Sequence, residues 1–234
     1  MKQIVIIGAS GHGKVVADIA KRNGYEEILF LDDAEGRSCC GVYPVVGKCC
    51  DITRYTGDFV VAIGNADIRQ KLTNRLEQLG RNLVTLVHPN AVIGEHVEIG
   101  KGTVIMAGAV VNPFAHIGNG CIINTCASVD HDCIIRDFAH ISVGAHVAGT
   151  CEIGERTWIG AGATVSNNIF ICSDCMIGAG AVIVNDIKES GTYVGVPARR
   201  IDMEEKSVKN AGGVSHRIVY HKASVQLSKS GRAA

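Results

Sequence analysis

The sequence predicts a Rossmann-like α/β domain over residues 1–88, followed by a parallel β-helix over residues 89–202. Three observations lead to this prediction. An aliphatic residue recurs at every sixth position through the second half of the chain, and a small residue follows it at a fixed offset. The chain also begins with an apolar strand that runs directly into a glycine-rich turn.

The six-residue repeat is unbroken over residues 93–183 and excludes an α-helix. Six residues of an α-helix turn through about 600°, so a helix would scatter these positions around its axis, and a lone strand would need a period of two. A triangular coil with one hexapeptide per side places each aliphatic residue inside, and 18 residues per coil give about five coils. The sixteen positions are Ile93, Ile99, Ile105, Val111, Ile117, Ile123, Val129, Ile135, Ile141, Val147, Ile153, Ile159, Val165, Ile171, Ile177 and Ile183.

A second column of small residues stands four positions after the aliphatic column, with Ile169 as the exception. Its members suit the narrow corner of a triangular prism, and four of the ten cysteines fall among them, so we expect free buried thiols rather than disulfides or a metal framework. Many residues directly after the aliphatic position are Gly, Asn or Asp, which predicts left-handed backbone there. Examples of the small column are Ala109, Ala115, Cys121, Ala127, Cys133, Ala139, Ala145, Cys151, Ala163, Cys175 and Ala181.

Charge and hydropathy argue against several classes of function. Lys plus Arg and Asp plus Glu both total 23, so the formal net charge is zero and no basic field would attract nucleic acid. No run of 18 uncharged apolar residues occurs, which predicts no membrane span. The N-terminus also lacks the pattern of a signal peptide, so we expect a cytoplasmic protein.

The first domain alternates strand and helix patterns. Strands are predicted over residues 2–7, 28–31 and 59–63, and helices over residues 15–23 and 66–79. Such alternation is typical of a parallel sheet flanked by helices.

The glycine-rich turn lies between the first strand and the first helix. Gly8, Gly11 and Gly13 open a helix, which suits phosphate binding at the helix N-terminus. Their spacing differs from the GxGxxG of dinucleotide sites, so a nucleotide-sugar phosphate is favoured over NAD, with a purely structural turn as the alternative. Asp32 and Asp33 end the second strand and either bind a ribose or base or form a solvated pair.

Six motifs occur in one order along the chain: GASGHG at 8–13, FLDD at 30–33, AIGN at 62–65, INT at 123–125, VDHD at 129–132 and VGVPA at 194–198. With the hexapeptides, which are typical of a left-handed parallel β-helix, they resemble the family of sialic-acid O-acetyltransferases and bacillosamine-type sugar N-acetyltransferases. The resemblance covers about residues 2–201. It implies a homotrimer that uses acetyl-CoA as cosubstrate and a UDP-amino-sugar as acceptor. The first domain would hold the nucleotide, and CoA would lie between adjacent subunits.

The resemblance also implies site residues. His131 matches the general base, Asp132 the carboxylate beside it, and His140 a contact to acetyl-CoA. Arg199 and Arg200 could meet the CoA phosphates, and no metal ligand is implied. The backbone lining of the CoA groove is matched by Ala161 and Ala179, and the nucleotide-sugar contacts by Ser10, Gly11, His12, Asp32, Asp33 and Gly64.

The chemistry of acetyl transfer to an amine agrees with these roles. An imidazole with a pKa near 6.5 can accept the proton of the amine, and a neighbouring carboxylate can orient the ring. The oxyanion needs a backbone N–H, and Gly149, one 18-residue coil after His131, is the candidate donor. Cys126 has no basic partner, so direct transfer is favoured over an acetyl-cysteine route. Trp158, one coil after His140, either lines the acetyl-CoA groove or packs between subunits.

Three other functions remain possible from the sequence: sugar O-acetylation, a non-catalytic sugar-nucleotide scaffold, and a zinc hydratase. A zinc site is disfavoured because His140 and His146 are six residues apart and so belong to different prism faces. Residues 203–234 lie beyond the resemblance. An apolar alternation at 215–220 is compatible with an added strand, a partner-binding tail or disorder.

Overall fold

The computed structural model describes residues 2–209 and 215–222. The elements of its first domain are β1 Gln3–Ile7, α1 Gly11–Arg22, β2 Glu27–Leu31, β3 Cys39–Cys40, β4 Tyr43–Gly47, a 3-10 helix Cys49–Arg54, β5 Asp58–Val61, α2 Ala66–Gln78 and β6 Asn82–Leu83. The six strands form one sheet with the order β3-β4-β2-β1-β5-β6, in which the central strand β1 pairs in parallel with both β2 and β5.

Burial explains why β1 is the centre of this sheet. Residues 4–7 are fully buried, with Ile4 and Ile6 in one apolar cluster and Val5 and Ile7 in another, so both faces of the strand are covered. A continuous apolar run of this kind is typical of a parallel strand between two layers. The predicted strands and helices are present, but α1 begins at Gly11 rather than residue 15, because the glycine-rich turn forms its first turn.

The second unit is a left-handed parallel β-helix with three sheets, each built from strands one coil apart. Residues 18 apart pair in register, as Ile105 does with Ile123. Its strands are β7 Leu86–Val87, β8 Val92–Ile93, β9 Glu98–Ile99, β10 Val104–Ile105, β11 Val110–Val111, β12 His116–Ile117, β13 Ile122–Ile123, β14 Ser128–Val129, β15 Ile134–Ile135, β16 His140–Ile141, β17 His146–Val147, β18 Glu152–Ile153, β19 Trp158–Ile159, β20 Thr164–Val165, β21 Phe170–Ile171, β22 Cys175–Ile177, β23 Val182–Ile183 and β24 Gly191–Val194.

Both predicted columns line the core of the prism. The aliphatic positions are buried except in the first coil, where Ile93 and Ile99 are half-buried, and the small column is buried throughout. The cysteines of this column have a further reason to be there. Thiols of Cys121, Cys133 and Cys151 donate to backbone carbonyls of the next coil at 3.0–3.2 Å between sulfur and oxygen. A cysteine thiol can thus fill the corner and also donate a weak hydrogen bond to a backbone carbonyl, which an alanine side chain cannot do.

The predicted position of left-handed backbone is wrong by two residues. A Cβ on Gly94, directly after an aliphatic position, would lie 2.6 Å from the backbone nitrogen of Pro113, so close approach of the next coil requires glycine there. Left-handed backbone instead occurs three residues after the aliphatic position, where the corner turns. It is found at His96, Gly102, Gly108, Phe114, Gly120, Cys126, Asp132, Phe138, Gly144, Thr150, Arg156, Gly162, Asn168, Asp174 and Gly180.

Beyond the prism, strand β25 (Arg199–Lys209) pairs antiparallel with β24 and with β26 (Ser215–Lys222). An added strand therefore accounts for the apolar alternation at 215–220, while residues 210–214 and 223–234 lie outside the described ranges. Among the described residues, no helix combines the length and hydropathy that crossing a bilayer requires.

Candidate functional site

Three loops of the first domain meet at the carboxyl edge of its sheet. The chain proceeds from β1 towards β4 on one side and then returns to β5 on the other, so a crevice opens between β1 and β5. Ligands of open α/β sheets bind at such switch points. All six predicted nucleotide-sugar contacts lie at this edge, in the loops or in the first turn of α1: Ser10, Gly11, His12, Asp32, Asp33 and Gly64.

The two aspartates at this edge are already engaged with backbone groups. Asp32 accepts from the N–H of Ala9 at 2.6 Å, and Asp33 accepts from the N–H of Cys49 at 2.8 Å. Asp32 therefore holds the glycine-rich turn, whereas the exposed Asp33 is fixed at the rim. Arg37 donates to the carbonyl of Ala9 at 2.5 Å and places a cation beside the turn.

The VDHD motif forms the corner between β14 and β15 and presents His131 on the surface. His131 Nδ1–H donates to the Asp132 carboxylate at 2.7 Å, and both side chains are more than half exposed. The hydrogen bond that His131 donates to Asp132 raises the pKa of His131, and the negative charges of Asp130 and Asp132 act in the same direction. Because Nδ1 carries the hydrogen in this pair, Nε2 is the basic nitrogen.

Gly149 lies one coil above His131, as the spacing predicts. A Cβ on Gly149 would lie 2.6 Å from His131 Nε2, so the imidazole rests against the bare Cα of this glycine. The N–H of His131, at the same place one coil earlier, donates to the side chain of Asp130. The residue before Gly149 is Ala148, whose side chain has no oxygen that could accept a hydrogen bond. Within the described residues the Gly149 N–H donates to no acceptor.

His140 occupies a drier environment on strand β16. Asn124 Nδ2 donates to His140 Nε2 at 3.1 Å, which leaves the hydrogen on Nδ1, a buried atom with no partner among the described residues. The Trp158 ring stacks on the His140 ring with 5.2 Å between centroids. Burial, followed by the charges of Arg69 and His12, lowers the pKa of His140 to about 3, so the imidazole is a neutral donor.

A cleft of about 450 Å³ lies between the first domain and the prism at this point. His140 and Trp158 line one wall, and Gly64 and Asn65 line the other. The structure therefore brings His140 to the edge that carries the predicted nucleotide contacts. His131 does not line this cleft.

Ala161 and Ala179 are exposed and stack one coil apart, with the Gly180 N–H donating to the Ala161 carbonyl at 2.9 Å. In the described part of the chain their own N–H groups have no acceptor. Arg200, by contrast, is paired with Glu189. His140 and His146 belong to different sheets, and no group of three metal-ligating side chains occurs among the described residues.

Two residues near the site were missed at the level of sequence. Asn124 stands in the INT motif, and its side chain also accepts from the Thr125 N–H at 2.8 Å, which orients the amide. Arg69 is 1% exposed and shares the buried face of α2 with Leu72 and Leu76. A charged residue at helical spacing with core leucines is the signal that could have revealed it.

Two family models match the chain. The PglD N-terminal domain matches residues 3–76, and the six-repeat bacterial transferase hexapeptide model matches residues 150–185. UDP-N-acetylbacillosamine N-acetyltransferase of Bacillus subtilis is 36% identical over 114 residues, which are 46% of this chain and 52% of that protein. The matched segment thus spans about half the length of this curated relative.

Solved structures resemble nearly the whole described chain. The acetyltransferase domain of PglB from Neisseria gonorrhoeae, in complex with acetyl coenzyme A, is 42% identical with a TM-score of 0.83, and the match covers 85% of this chain and 98% of that one. PerB from Caulobacter crescentus, in complex with CoA and GDP-perosamine, is 35% identical with a TM-score of 0.80, covering 86% and 97%. With its PglD-type first domain and hexapeptide prism, the chain belongs to the family of hexapeptide-repeat sugar N-acetyltransferases.

Proposed function

We propose that this protein transfers the acetyl group of acetyl-CoA to the 4-amino group of a UDP-linked amino-dideoxy sugar, with His131 as the general base. The observation that carries the proposal is the pairing of His131 Nδ1–H with Asp132 at 2.7 Å, which leaves Nε2 as the basic atom next to the Cα of Gly149. The bacillosamine relative supports a UDP-sugar, and the PglB and PerB domains support acetyl-CoA as the donor.

In the proposed reaction the amine nitrogen attacks the thioester carbonyl while His131 Nε2 accepts the proton of the amine. The Gly149 N–H stabilises the oxyanion of the tetrahedral intermediate. As the intermediate collapses, the C–S bond breaks and the imidazolium returns the proton to the CoA thiolate. Asp132 orients the ring and stabilises its charged form.

The remaining site residues bind the two substrates in this proposal. Ser10, Gly11 and His12 contact the nucleotide sugar from the turn after β1. Asp33, at the rim of the crevice, and Gly64 complete that site. Ala161 and Ala179 offer free N–H groups to the CoA chain, and His140 offers its buried Nδ1–H to the acetyl donor.

We also propose a homotrimer, in which CoA lies between prisms. Large apolar side chains that single chains would expose support it, since Val143, Trp158 and Met176 are each about 40–50% exposed along the strip that includes Ala161 and Ala179. Light scattering of the purified protein tests this, and a monomer that turns over substrate would refute it.

The experiment that tests the function measures release of CoA thiol from acetyl-CoA with UDP-4-amino-4,6-dideoxy-N-acetylglucosamine. We compare wild type with His131→Ala and with His116→Ala, a matched control because His116 is also exposed and also faces a carboxylate, Glu98, at 3.1 Å. Loss of the base should reduce kcat by roughly 10²–10⁴-fold, and the control should behave as wild type.

Each alternative outcome is informative. Turnover with GDP-perosamine but not with the UDP-sugar would reject the nucleotide and retain the reaction. Failure of folded wild type with every amino sugar, together with acetylation of a sialic acid hydroxyl, would reject N-acetylation. Equal turnover by wild type and His131→Ala would reject His131 as the base.

A further inference from the structure

Arg69 is a buried cation at the junction of the two domains. It lies on α2 of the first domain and is 1% exposed. Burial lowers its pKa to about 10, so the guanidinium still carries its charge near neutral pH. Taking such a group out of water is costly unless its donors are satisfied.

Four backbone carbonyls, two from each domain, accept hydrogen bonds from it. In the first domain Arg69 Nη1 donates to the carbonyls of Ile63 at 2.9 Å and Gly64 at 2.7 Å. In the prism Nε donates to the carbonyl of Gly120 at 2.7 Å and Nη2 to that of Phe138 at 2.5 Å. Among the described residues no carboxylate pairs with Arg69, so its charge is stabilised by carbonyl dipoles alone.

These carbonyls belong to the segments that carry the proposed site. Gly64 follows β5 at the nucleotide edge and lines the interdomain cleft. Phe138 precedes His140 by two residues, and Gly120 precedes Ile122, which pairs with His140 across adjacent coils. One planar guanidinium therefore spans from the nucleotide edge to the coil that carries His140.

The charge of Arg69 also acts on two buried histidines near the junction. His12 on α1 and His140 on β16 both have a buried ring nitrogen with no partner in the described chain. Burial, and after it the charge of Arg69, lowers the pKa of His12 to about 4 and that of His140 to about 3. Both imidazoles are thereby neutral when the substrate enters.

We propose that Arg69 is a positioning residue for acetyl transfer, which holds the nucleotide edge at Gly64 at a fixed distance from the prism coil at His140. The inference rests on the proposed function in that the amine is bound by the first domain and the acetyl donor by the prism. Their relative placement then depends on this contact. A displacement of the reacting atoms by about 1 Å can reduce the rate by about 10²-fold.

The test compares Arg69→Met and Arg69→Lys with Arg81→Met. Arg81 donates to the carbonyl of Thr53 at 3.1 Å within the first domain, so its loss removes an arginine–carbonyl bond without touching the junction. For Arg69→Met we expect kcat to fall by about 10²-fold, with KM for each substrate within about threefold of wild type. This split indicates loss of an interaction that serves the transition state.

Lysine keeps the charge but cannot reproduce the planar fork. Arg69→Lys should therefore resemble Arg69→Met, and a lysine variant with wild-type kcat would overturn the positioning role. Arg81→Met should unfold at a lower temperature than wild type and retain its kcat. If Arg81→Met lost as much kcat as Arg69→Met, general destabilisation would explain both variants.

A readout independent of activity separates this inference from the proposed function. Hydrogen exchange of the full-length protein is measured at the amides of residues 62–66 and 138–142. Arg69→Met and Arg69→Lys should accelerate exchange in both segments by about tenfold, and Arg81→Met should not. Unchanged exchange in both segments would overturn the inference even if wild type acetylated none of the sugars tried.

Discussion

Gly149 supports the imidazole of His131 with its bare Cα, since a Cβ on this glycine would lie 2.6 Å from Nε2. The ring also touches the position of that Cβ with its Cε1 atom at 2.7 Å. A side chain at this position would therefore have to push the ring away from where it bonds Asp132. The glycine is therefore a determinant of where the proposed base points.

The first prediction is that Gly149→Ala displaces the ring and lowers kcat by about 10²-fold, because the added methyl group occupies the place of the imidazole. The backbone N–H is retained, so this loss measures the position of the base. The measurement is kcat at saturating substrates for wild type, both single variants and the double variant with His131→Ala. If the glycine acts through His131, adding Gly149→Ala to His131→Ala should lower kcat little further. Additive losses would contradict this.

The second prediction concerns pH and the variant Asp132→Asn. Asp132 has a φ of 56°, and Asn tolerates left-handed backbone as Asp does, so the corner should keep its shape. The Asp132 hydrogen bond is the first cause of the raised pKa of His131, and the base acts when neutral, so wild-type kcat should rise with pH through a pKa above about 6.5.

Removing the carboxylate should shift the rise of kcat to lower pH and should reduce the maximal kcat. The measurement is kcat against pH for both proteins, with His116→Ala as the unshifted control. If kcat of Asp132→Asn rose at the same pH as that of wild type, Asp132 would not be what raises the pKa of the base. The raised pKa also stabilises the folded chain below about pH 6.5, and this contribution disappears as the pH rises through the folded-state pKa.

The third prediction follows from the left-handed corners of the prism. Thr150 is β-branched and has a φ of 59°, a conformation that costs such a residue about 1–2 kcal/mol. Thr150→Asn should therefore increase the free energy of unfolding by up to about 1 kcal/mol, measured by denaturant titration. The same exchange at Thr164, in the extended strand β20, serves as the control and should destabilise the protein. Equal effects at the two positions would show that backbone strain is not the cause.

Much of the fold could be predicted because the prism repeats. Each of sixteen aliphatic positions carries the same information, and the pairing of Ile105 with Ile123 follows from spacing alone. The left-handed corners were misplaced because Gly has two uses in this prism. At Gly94 it permits close approach of the next coil, while corners such as Phe114 lack glycine altogether.

The geometry of the candidate site was predictable where it follows the repeat and not where the two domains meet. Stacking of Gly149 on His131 and of Trp158 on His140 follows from the 18-residue coil. The bonds from Arg69 to Gly120 and Phe138 join residues 51 and 69 positions apart on different units. No periodicity relates those positions, so only the packing of the domains reveals the contact.

The last prediction concerns the small column of the prism core. Ala145 is fully buried, and its corner is bounded by the coils above and below. Ala145→Leu adds three carbon atoms that the close-packed corner cannot accept, so we expect a loss of about 1–3 kcal/mol in the free energy of unfolding. Ala34→Leu, at an exposed loop position, should change it by less than about 0.5 kcal/mol. Denaturant unfolding checks both variants. If Ala145→Leu were as stable as Ala34→Leu, corner volume would not explain why Ala and Cys recur in this column.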